Sequence, residues 1–366
     1  MQSGAAATGF GERTRGNESG RAGRCTLTTV VANYNHGHFL PRCLMAIIAQ
    51  TSAPDEVLVI DDGSTDDSLD VISAFASQLR GFRLIRHEAN RGVVATMNEG
   101  LIEACGTHVL FAAADDWIEP ELVEVSMRML ERFPDAGVCS ALTRLATETG
   151  EVIGPFRTPM PLRDAGYIAP ERVAQLLIRD DAWFSGNTTV INRAAALAVG
   201  GYRPELKAFT DMFLNVVLAL RHGACFIPRF LAVWRRMHGG YASTLTADPA
   251  AMLVTFEAAQ RLMCAPEQRV FTPEHVARWA GRWRFSAACG AIASSSPARR
   301  EWLAALLPPT RRAFARPVEQ LARIPRVGGL LAVALLFVLL RSRDIGAFVR
   351  RRVDWMLRVR RLERAA

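Results

Sequence analysis

The stretch V-L-V-I-D-D-G-S-T-D-D-S, residues 57–68, decides the fold. Its apolar run, Val57 to Ile60, reads as a short buried strand that stops at two adjacent carboxylates, Asp61 and Asp62. Gly63, Ser64 and Thr65 follow as a turn and then a helix cap. Carboxylates at the carboxyl end of a strand, within alternating strands and helices, sit where open α/β sheets bind ligands. Outward from this point, residues 27–34 (L-T-T-V-V-A-N-Y) predict a strand and 38–50 a helix with Phe39, Leu40, Leu44, Ile47 and Ile48 on its apolar face. Strand 56–60 leads to helix 65–79, strand 82–86, helix 93–104 and strand 108–113. Repeated βαβ units of this kind imply a mainly parallel sheet.

Strand 108–113 repeats the opening pattern, because V-L-F-A-A-A runs straight into Asp115, Asp116 and Trp117. Helix 119–132 and strand 137–145 come next. Residues 146–185 are rich in Pro and Gly and are periodic only over 171–179, which predicts an inserted loop over the site. Strand 187–192, the turn Gly200-Gly201-Tyr202 and helix 211–222 return the chain to the core. Beyond about 245 the pattern is purely helical. The expected organisation is a disordered tail at 1–24, an α/β domain at 25–245, and a helical, basic region at 246–366.

Half of the 366 residues are hydrophobic, enough for a large core, and this excludes wholesale disorder. The seven cysteines are scattered without C-x-x-C pairs and read as free thiols. Residues 1–24 lack the apolar segment of a signal peptide, so a cytoplasmic location is expected. From Arg311 onward, 14 Arg face four acids, a balance of +10 in a chain of net +8, so the rest sums to −2. The basicity belongs to the tail, and no basic stripe with interleaved aromatics accompanies the strand-end carboxylates. No nucleic-acid partner is expected.

Taken alone, each carboxylate pair has a plain reading. Asp61 and Asp62 suit a helix cap, and Asp115 and Asp116 suit a solvated loop. Two strand-end pairs in successive units suit a ligand better: one bonds a base or ribose, the other holds a divalent metal against a diphosphate. The ordered motifs V-V-A-N-Y-N, V-I-D-D-G-S-T-D, N-R-G-V-V-A-T-M-N, A-A-D-D-W, G-G-Y-R-P-E-L, F-T-D-M-F-L and W-R-R-M-H-G-G-Y-A-S closely resemble the family-two inverting glycosyltransferases, of bacterial surface-polysaccharide type. The resemblance spans about Thr26 to Thr244. It implies a GT-A fold, a Rossmann-like and mostly parallel sheet flanked by helices, with the helical region appended.

The resemblance also implies roles for particular residues. Ala32 and Tyr34 pack on the nucleotide base, Asp62 accepts a hydrogen bond from it, and Arg91 and Asn98 lie beside the nucleotide. Asp115 serves the donor ribose and Asp116 the metal, Mn²⁺ or Mg²⁺. Ala113 stands where many members carry another Asp, which implies a weaker metal site. Asp211 is the catalytic base, in a Thr-Asp pair where the family has Glu-Asp or similar. Arg236, with Arg235, lies beside the diphosphate, and His238 contacts phosphate or metal. Asn187 and Thr188 fall where acceptor contacts are expected, and Trp117 and Trp183 suit either sugar stacking or core packing.

The implied reaction moves a sugar from a nucleoside-diphosphate donor, UDP-linked, to a hydroxyl of a glycan or lipid-linked acceptor. The alternatives are a sugar-nucleotide nucleotidyltransferase, disfavoured because N-Y-N-H-G-H replaces a Gly-rich basic phosphate loop, and a non-catalytic sugar-nucleotide or glycan-binding module. Val327 to Leu340 is uncharged over 14 residues, while a spanning helix needs about 20. A packed core helix, a helix at an anionic membrane surface aided by the flanking arginines, and a true span all remain open at this point. The membrane reading places the protein peripherally at the inner face of the cell membrane.

Overall fold

The computed structural model describes residues 25–237, 249–293, 298–340 and 345–365. The expected tail 1–24, His238 and the expected boundary at 245/246 lie outside these residues.

A single mixed sheet organises the first two thirds of the chain. Its first strands are β1 (Leu27–Asn33), β2 (Glu56–Asp61), β3 (Arg83–Arg86) and β4 (His108–Ala113). They lie side by side in the order β3-β2-β1-β4, all parallel. Helices α1 (Leu40–Ile48), α2 (Ser68–Phe75) and α3 (Val93–Glu103) make the crossovers. This half has the parallel βαβ architecture expected.

The other half departs from it. It contains β5 (Trp117–Ile118), α4 (Leu122–Arg132), β6 (Val138–Ala146), β7 (Val152–Pro155), β8 (Gly166–Ile168), α5 (Pro170–Arg179), β9 (Val190–Asn192), α6 (Arg193–Ala198), α7 (Thr210–His222) and β10 (Ala224–Arg235). Here β9 is antiparallel to both β4 and β6, β10 runs parallel to β6, and β5, β7 and β8 add antiparallel pairs. The predicted strand 187–192 is thus only three residues long, because Gly186–Thr188 form a 3-10 turn. The predicted loop 146–185 contains two short strands and the helix foreseen at 171–179.

Both faces of the sheet are covered. Leu27, Val31, Val57 and Val59 point into a layer closed by Leu40, Leu44, Ile47, Ile72 and Leu130. Val30, Leu58 and Ile60 point the other way, into a layer shared with Leu101, Phe213, Leu214 and Val217. Alternation along β1 and β2 therefore feeds two cores, as both-face burial requires.

The helical region comprises α8 (Pro249–Cys264), α9 (Pro273–Ala293), α10 (Arg299–Leu306), α11 (Ala315–Ala322), α12 (Gly328–Leu340) and α13 (Ile345–Ala365). It is not an independent appendage. Ala258, Ala259, Met263, Phe271, Val276 and Val359 join the layer that packs on the sheet. Leu303, Leu306, Val318, Ala332, Leu336 and Leu339 form a separate core among the helices. Helix α12 therefore buries one face, while Leu330, Leu331 and Val338 remain exposed on the other, continuing Ile324 and Val327. Among the described residues no helix is long and apolar enough to cross a membrane.

Candidate functional site

The order β3-β2-β1-β4 reverses direction at β1, and ligand crevices in open α/β sheets form at the carboxyl ends of strands beside such a reversal. Asn33 is in register with Asp61, and Ala32 with Ala113, so three strand ends meet at one edge. The two carboxylates of the opening motif then part company. Asp61 is fully buried and accepts hydrogen bonds from Asn33 Nδ2 (2.8 Å) and the Ser64 amide (3.0 Å), fastening the turn. Gly63, which follows them in the turn, has φ +78°, and a β-carbon there would meet the Ala89 carbonyl carbon at 2.8 Å. Only glycine allows both the left-handed backbone and that approach.

Asp62 instead reaches the 87–92 loop. Its Oδ1 accepts from His87 Nδ1 (2.6 Å) and the Arg91 amide (2.8 Å), and its Oδ2 from the Gly92 amide (2.9 Å). Burial alone raises its pKa, but these hydrogen bonds outweigh it and hold the carboxyl below the ordinary range. Oδ2, with one contact, keeps acceptor capacity. His87 is a partner that reading the sequence missed. It is buried, and its Nε2 contacts Glu99 Oε2 at 2.6 Å, so one imidazole bridges two carboxylates. A lone His without a spacing motif gave no signal. The Arg91 guanidinium is bonded to the same Glu99 at 3.0 Å. Tyr34 is exposed and Ala32 half-buried at the strand-end edge.

Asn98 has a structural task. Its side chain donates to the Tyr202 carbonyl (2.9 Å) and accepts from the Tyr202 amide (2.8 Å), which clamps the Gly200-Gly201-Tyr202 turn. Its side-chain amide thus ties α3 to the Tyr202 backbone.

The second carboxylate pair is built by distant strands. Antiparallel β5 against β10 sets Trp117 beside Val233, which brings Arg235 to the pair. The Arg235 amide donates to Asp116 Oδ1 (2.9 Å), and its Nε donates to the Asp115 carbonyl (2.9 Å). Asn187 Nδ2 donates to Asp116 Oδ2 (3.1 Å). Asp116 is buried, and burial together with the charge of Asp115 drives its pKa well up, against the pull of these hydrogen bonds. Arg235 is the arginine bonded to this pair: it is buried, with Phe39 and Trp117 rings beside its guanidinium, while Arg236 is exposed and its amide donates to the Ala146 carbonyl.

Asp211 lies in the first turn of α7. A β-carbon on Gly186 would sit 2.8 Å from Asp211 Oδ2, so the backbone of the 186–188 turn lies directly against this carboxylate. Burial raises the pKa of Asp211, offset in part by the Met212 amide, which donates to Oδ1 at 2.7 Å. One short turn thus touches Asp211 at Gly186 and Asp116 at Asn187. Asn187 is buried and also accepts from Thr143 Oγ1, while Thr188 bonds the Ala141 backbone. Both are buried and hydrogen-bonded within the fold at the place where acceptor contacts were expected. Trp183 is core, and Trp117 is buried beneath the Arg42 guanidinium, so neither presents an open face to a sugar.

Among the described residues no cluster of three or more His, Cys, Asp or Glu forms a metal site. The donor chemistry of the pair nonetheless fits a hard cation. Two adjacent carboxylates, one raised in pKa by its burial and then by the charge of the other, are the arrangement that a divalent ion relieves, and phosphate oxygens supply further ligands.

A family profile described as Glycosyl transferase family 2 matches residues 28–173. An uncharacterized protein of Mycobacterium tuberculosis is 30% identical over 309 residues, 81% of this chain and 93% of its own length. The uncharacterized glycosyltransferase YibD of Escherichia coli is 36% identical over 126 residues, which are 34% of this chain and 36% of YibD. Among solved structures, S. aureus TarS in complex with UDP-GlcNAc superposes with a TM-score of 0.59 at 17% identity, covering 85% of this chain and 90% of the TarS chain. The mannosyltransferase PcManGT of Pyrobaculum calidifontis, in complex with GDP-Man and Mn²⁺, gives 0.50 at 20% identity, covering 85% and 86%. At these identities the two structures speak for the fold.

Proposed function

Residues 28–173 are a glycosyl transferase family 2 domain, and from that premise we propose that the protein moves a sugar, with inversion, from a UDP-linked donor to a hydroxyl of a glycan or lipid-linked acceptor. The observation that carries this reading is the turn 186–188, which lies against Asp211 at one end and bonds Asp116 at the other. A base for the acceptor hydroxyl and a carboxylate for the donor side are thereby held at fixed separation beside the sheet's reversal point.

Each group has a distinct task in this proposal. Tyr34 and Ala32 pack on the base and Asp62 Oδ2 accepts its N–H, while Asp115 takes the ribose. Arg235 neutralises the carboxylate pair from behind, and Arg236 is the exposed cation for the diphosphate. Asp116 would hold the divalent ion, Mn²⁺ or Mg²⁺, which when bound offsets charge on the departing nucleoside diphosphate. Asp211 removes the acceptor proton as that oxygen attacks the anomeric carbon from the face opposite the leaving group. Direct displacement of that kind inverts the centre.

The donor assignment is tested by incubating the full chain with UDP-, GDP- and TDP-sugars in Mn²⁺ and following release of nucleoside diphosphate. The expected result is turnover of a UDP-sugar, faster when an acceptor glycan is added. Release from GDP-sugars alone overturns the uridine assignment. Binding of a donor without any turnover favours a non-catalytic binding module.

The same proposal places the protein peripherally at the inner face of the cell membrane. It is supported by the exposed apolar line Ile324, Val327, Leu331 and Val338, fringed by the exposed Arg312, Arg316, Arg323 and Arg326. Such a face suits anionic lipid, with the apolar side chains at the acyl boundary and guanidinium groups at phosphate. Expected is co-sedimentation with vesicles containing phosphatidylglycerol, weakened by salt and by Leu331→Glu with Val338→Glu. Equal partition of the wild type and the double variant into the supernatant removes membrane docking from the proposal.

A further inference from the structure

Residues 86–92, R-H-E-A-N-R-G, leave β3 and turn back to open α3, and along this short path they surround one carboxylate. The His87 amide donates to the Asp61 carbonyl at 2.9 Å, which carries the pairing of β2 with β3 one residue beyond the strand and sets the imidazole beside Asp62. Gly92 has φ +90°, a backbone turn that favours glycine, and its amide joins the Arg91 amide at the same carboxyl group.

These bonds fix how Asp62 can be used. Oδ1 takes His87 Nδ1 at 2.6 Å and the Arg91 amide at 2.8 Å, which fills both of its lone pairs, while Oδ2 takes only the Gly92 amide at 2.9 Å. One acceptor position is left. His87 is itself held from its far side, because Nε2 lies 2.6 Å from Glu99 Oε2 on α3, and the Arg91 guanidinium donates to that same oxygen at 3.0 Å. The ring cannot turn away from Asp62 without breaking a second bond. Burial alone would raise the pKa of Asp62, and the His87 bond is foremost among the interactions that hold it below the ordinary range. Asp62 therefore stays an acceptor.

We propose that His87, braced by Glu99, is a positioning residue for donor recognition: it holds the Asp62 carboxylate so that its one open acceptor position selects a pyrimidine with an N–H at N3. This inference rests on the donor reading above. The chemistry separates two bases of equal size. Uracil presents N3–H, which a carboxylate accepts, whereas cytosine presents a bare lone pair at N3, which a carboxylate repels. Without His87, Asp62 loses its foremost stabilising partner and moves toward the protonated form. A protonated carboxyl donates, and cytosine then becomes the better match.

The test is calorimetry of UDP and of CDP on the full chain with Mn²⁺, for the wild type, His87→Ala and His87→Asn. The asparagine amide offers an N–H near the place of Nδ1–H. The wild type is expected to prefer UDP by about tenfold or more, the worth of one hydrogen bond to a charged group. In His87→Ala the preference falls to near parity, and His87→Asn restores most of it. The KM for a UDP-sugar rises in step with the UDP Kd. Circular dichroism checks folding, and Glu99→Ala, which removes the brace from Nε2, carries the test if His87→Ala unfolds, with a smaller loss in the same direction. A residue that served only the fold would lower the fraction of protein able to bind and leave the UDP-to-CDP ratio unchanged; that result, against a wild type that selects UDP, overturns this inference alone. A wild type that binds neither nucleotide, or binds the two alike, overturns the uridine reading and this inference with it.

Discussion

Asp211→Asn is expected to lower kcat by about 10²–10⁴-fold, the usual contribution of a positioned general base, and to leave the affinity for UDP unchanged. The amide keeps the shape of the carboxylate and can still accept from the Met212 amide, so α7 retains its first turn. What is lost is the ability to take a proton. Two influences compete at this position. The N-terminus of α7 favours the charged form, while burial disfavours it, and burial prevails, since the Asp211 pKa lies above the ordinary 3.8. A base acts deprotonated, so kcat/KM rises as pH rises through that pKa. The acid limb of the profile is therefore expected at higher pH than an ordinary aspartate gives. Steady-state rates across pH in the wild type, with UDP calorimetry on the variant, check both parts. Unimpaired turnover by Asp211→Asn sinks the base assignment.

The parallel half of the sheet was legible because each strand there is a short apolar run ended by a polar turn. Residues 57–63 are the clearest case, since Gly63 answers to a close contact with Ala89 that no other residue permits. The mixed half was not legible. Three-residue β9 is too short for periodicity to register, and its antiparallel pairing to both β4 and β6 depends on contacts far apart in the chain. The same limit applies to the candidate site. Asp62, Asp116 and Asp211 stood out as carboxylates in ordered motifs. Their supports did not: His87 reaches Asp62 across 25 positions, Asn187 reaches Asp116 across 71 and Arg235 across 119. Asn98 was legible as part of a motif, while the hydrogen bonds by which it braces the Tyr202 turn, more than a hundred positions away, were not. Helix α12 was ambiguous for a physical reason. It is apolar on all sides, and only the packed structure distinguishes the face against Leu303 and Val318 from the face left exposed.

Asp116→Asn is expected to cost turnover at least as heavily as Asp211→Asn, yet not to lower the melting temperature of the metal-free protein. The argument is one of linkage. Burial and the neighbouring Asp115 raise the folded-state pKa of Asp116 well above the ordinary 3.8. A carboxyl with a raised folded-state pKa contributes stability that is fully present below the unfolded value and is lost as pH rises through the folded value. At neutral pH its charge is thus a cost to the fold, and a neutral amide of the same shape relieves it. Against this stands the hydrogen bonding from the Arg235 amide and Asn187. The asparagine oxygen keeps one of these two bonds, and a single net hydrogen bond is worth only about 0.5–1.5 kcal/mol. The net rise in the Asp116 pKa means that burial and the charge of Asp115 together outweigh these bonds. The wild type recovers its deficit when a cation binds: at a hundredfold excess over Kd, binding to the folded state alone adds about 2.7 kcal/mol. Scanning calorimetry with and without Mn²⁺ reads this directly, as a rise of several degrees in the wild type and none in Asp116→Asn. If Mn²⁺ raises both equally, the ion binds elsewhere. If the metal-free variant melts well below the wild type, Asp116 serves the fold through its hydrogen bonds, and its raised pKa is not the stored cost inferred from its burial.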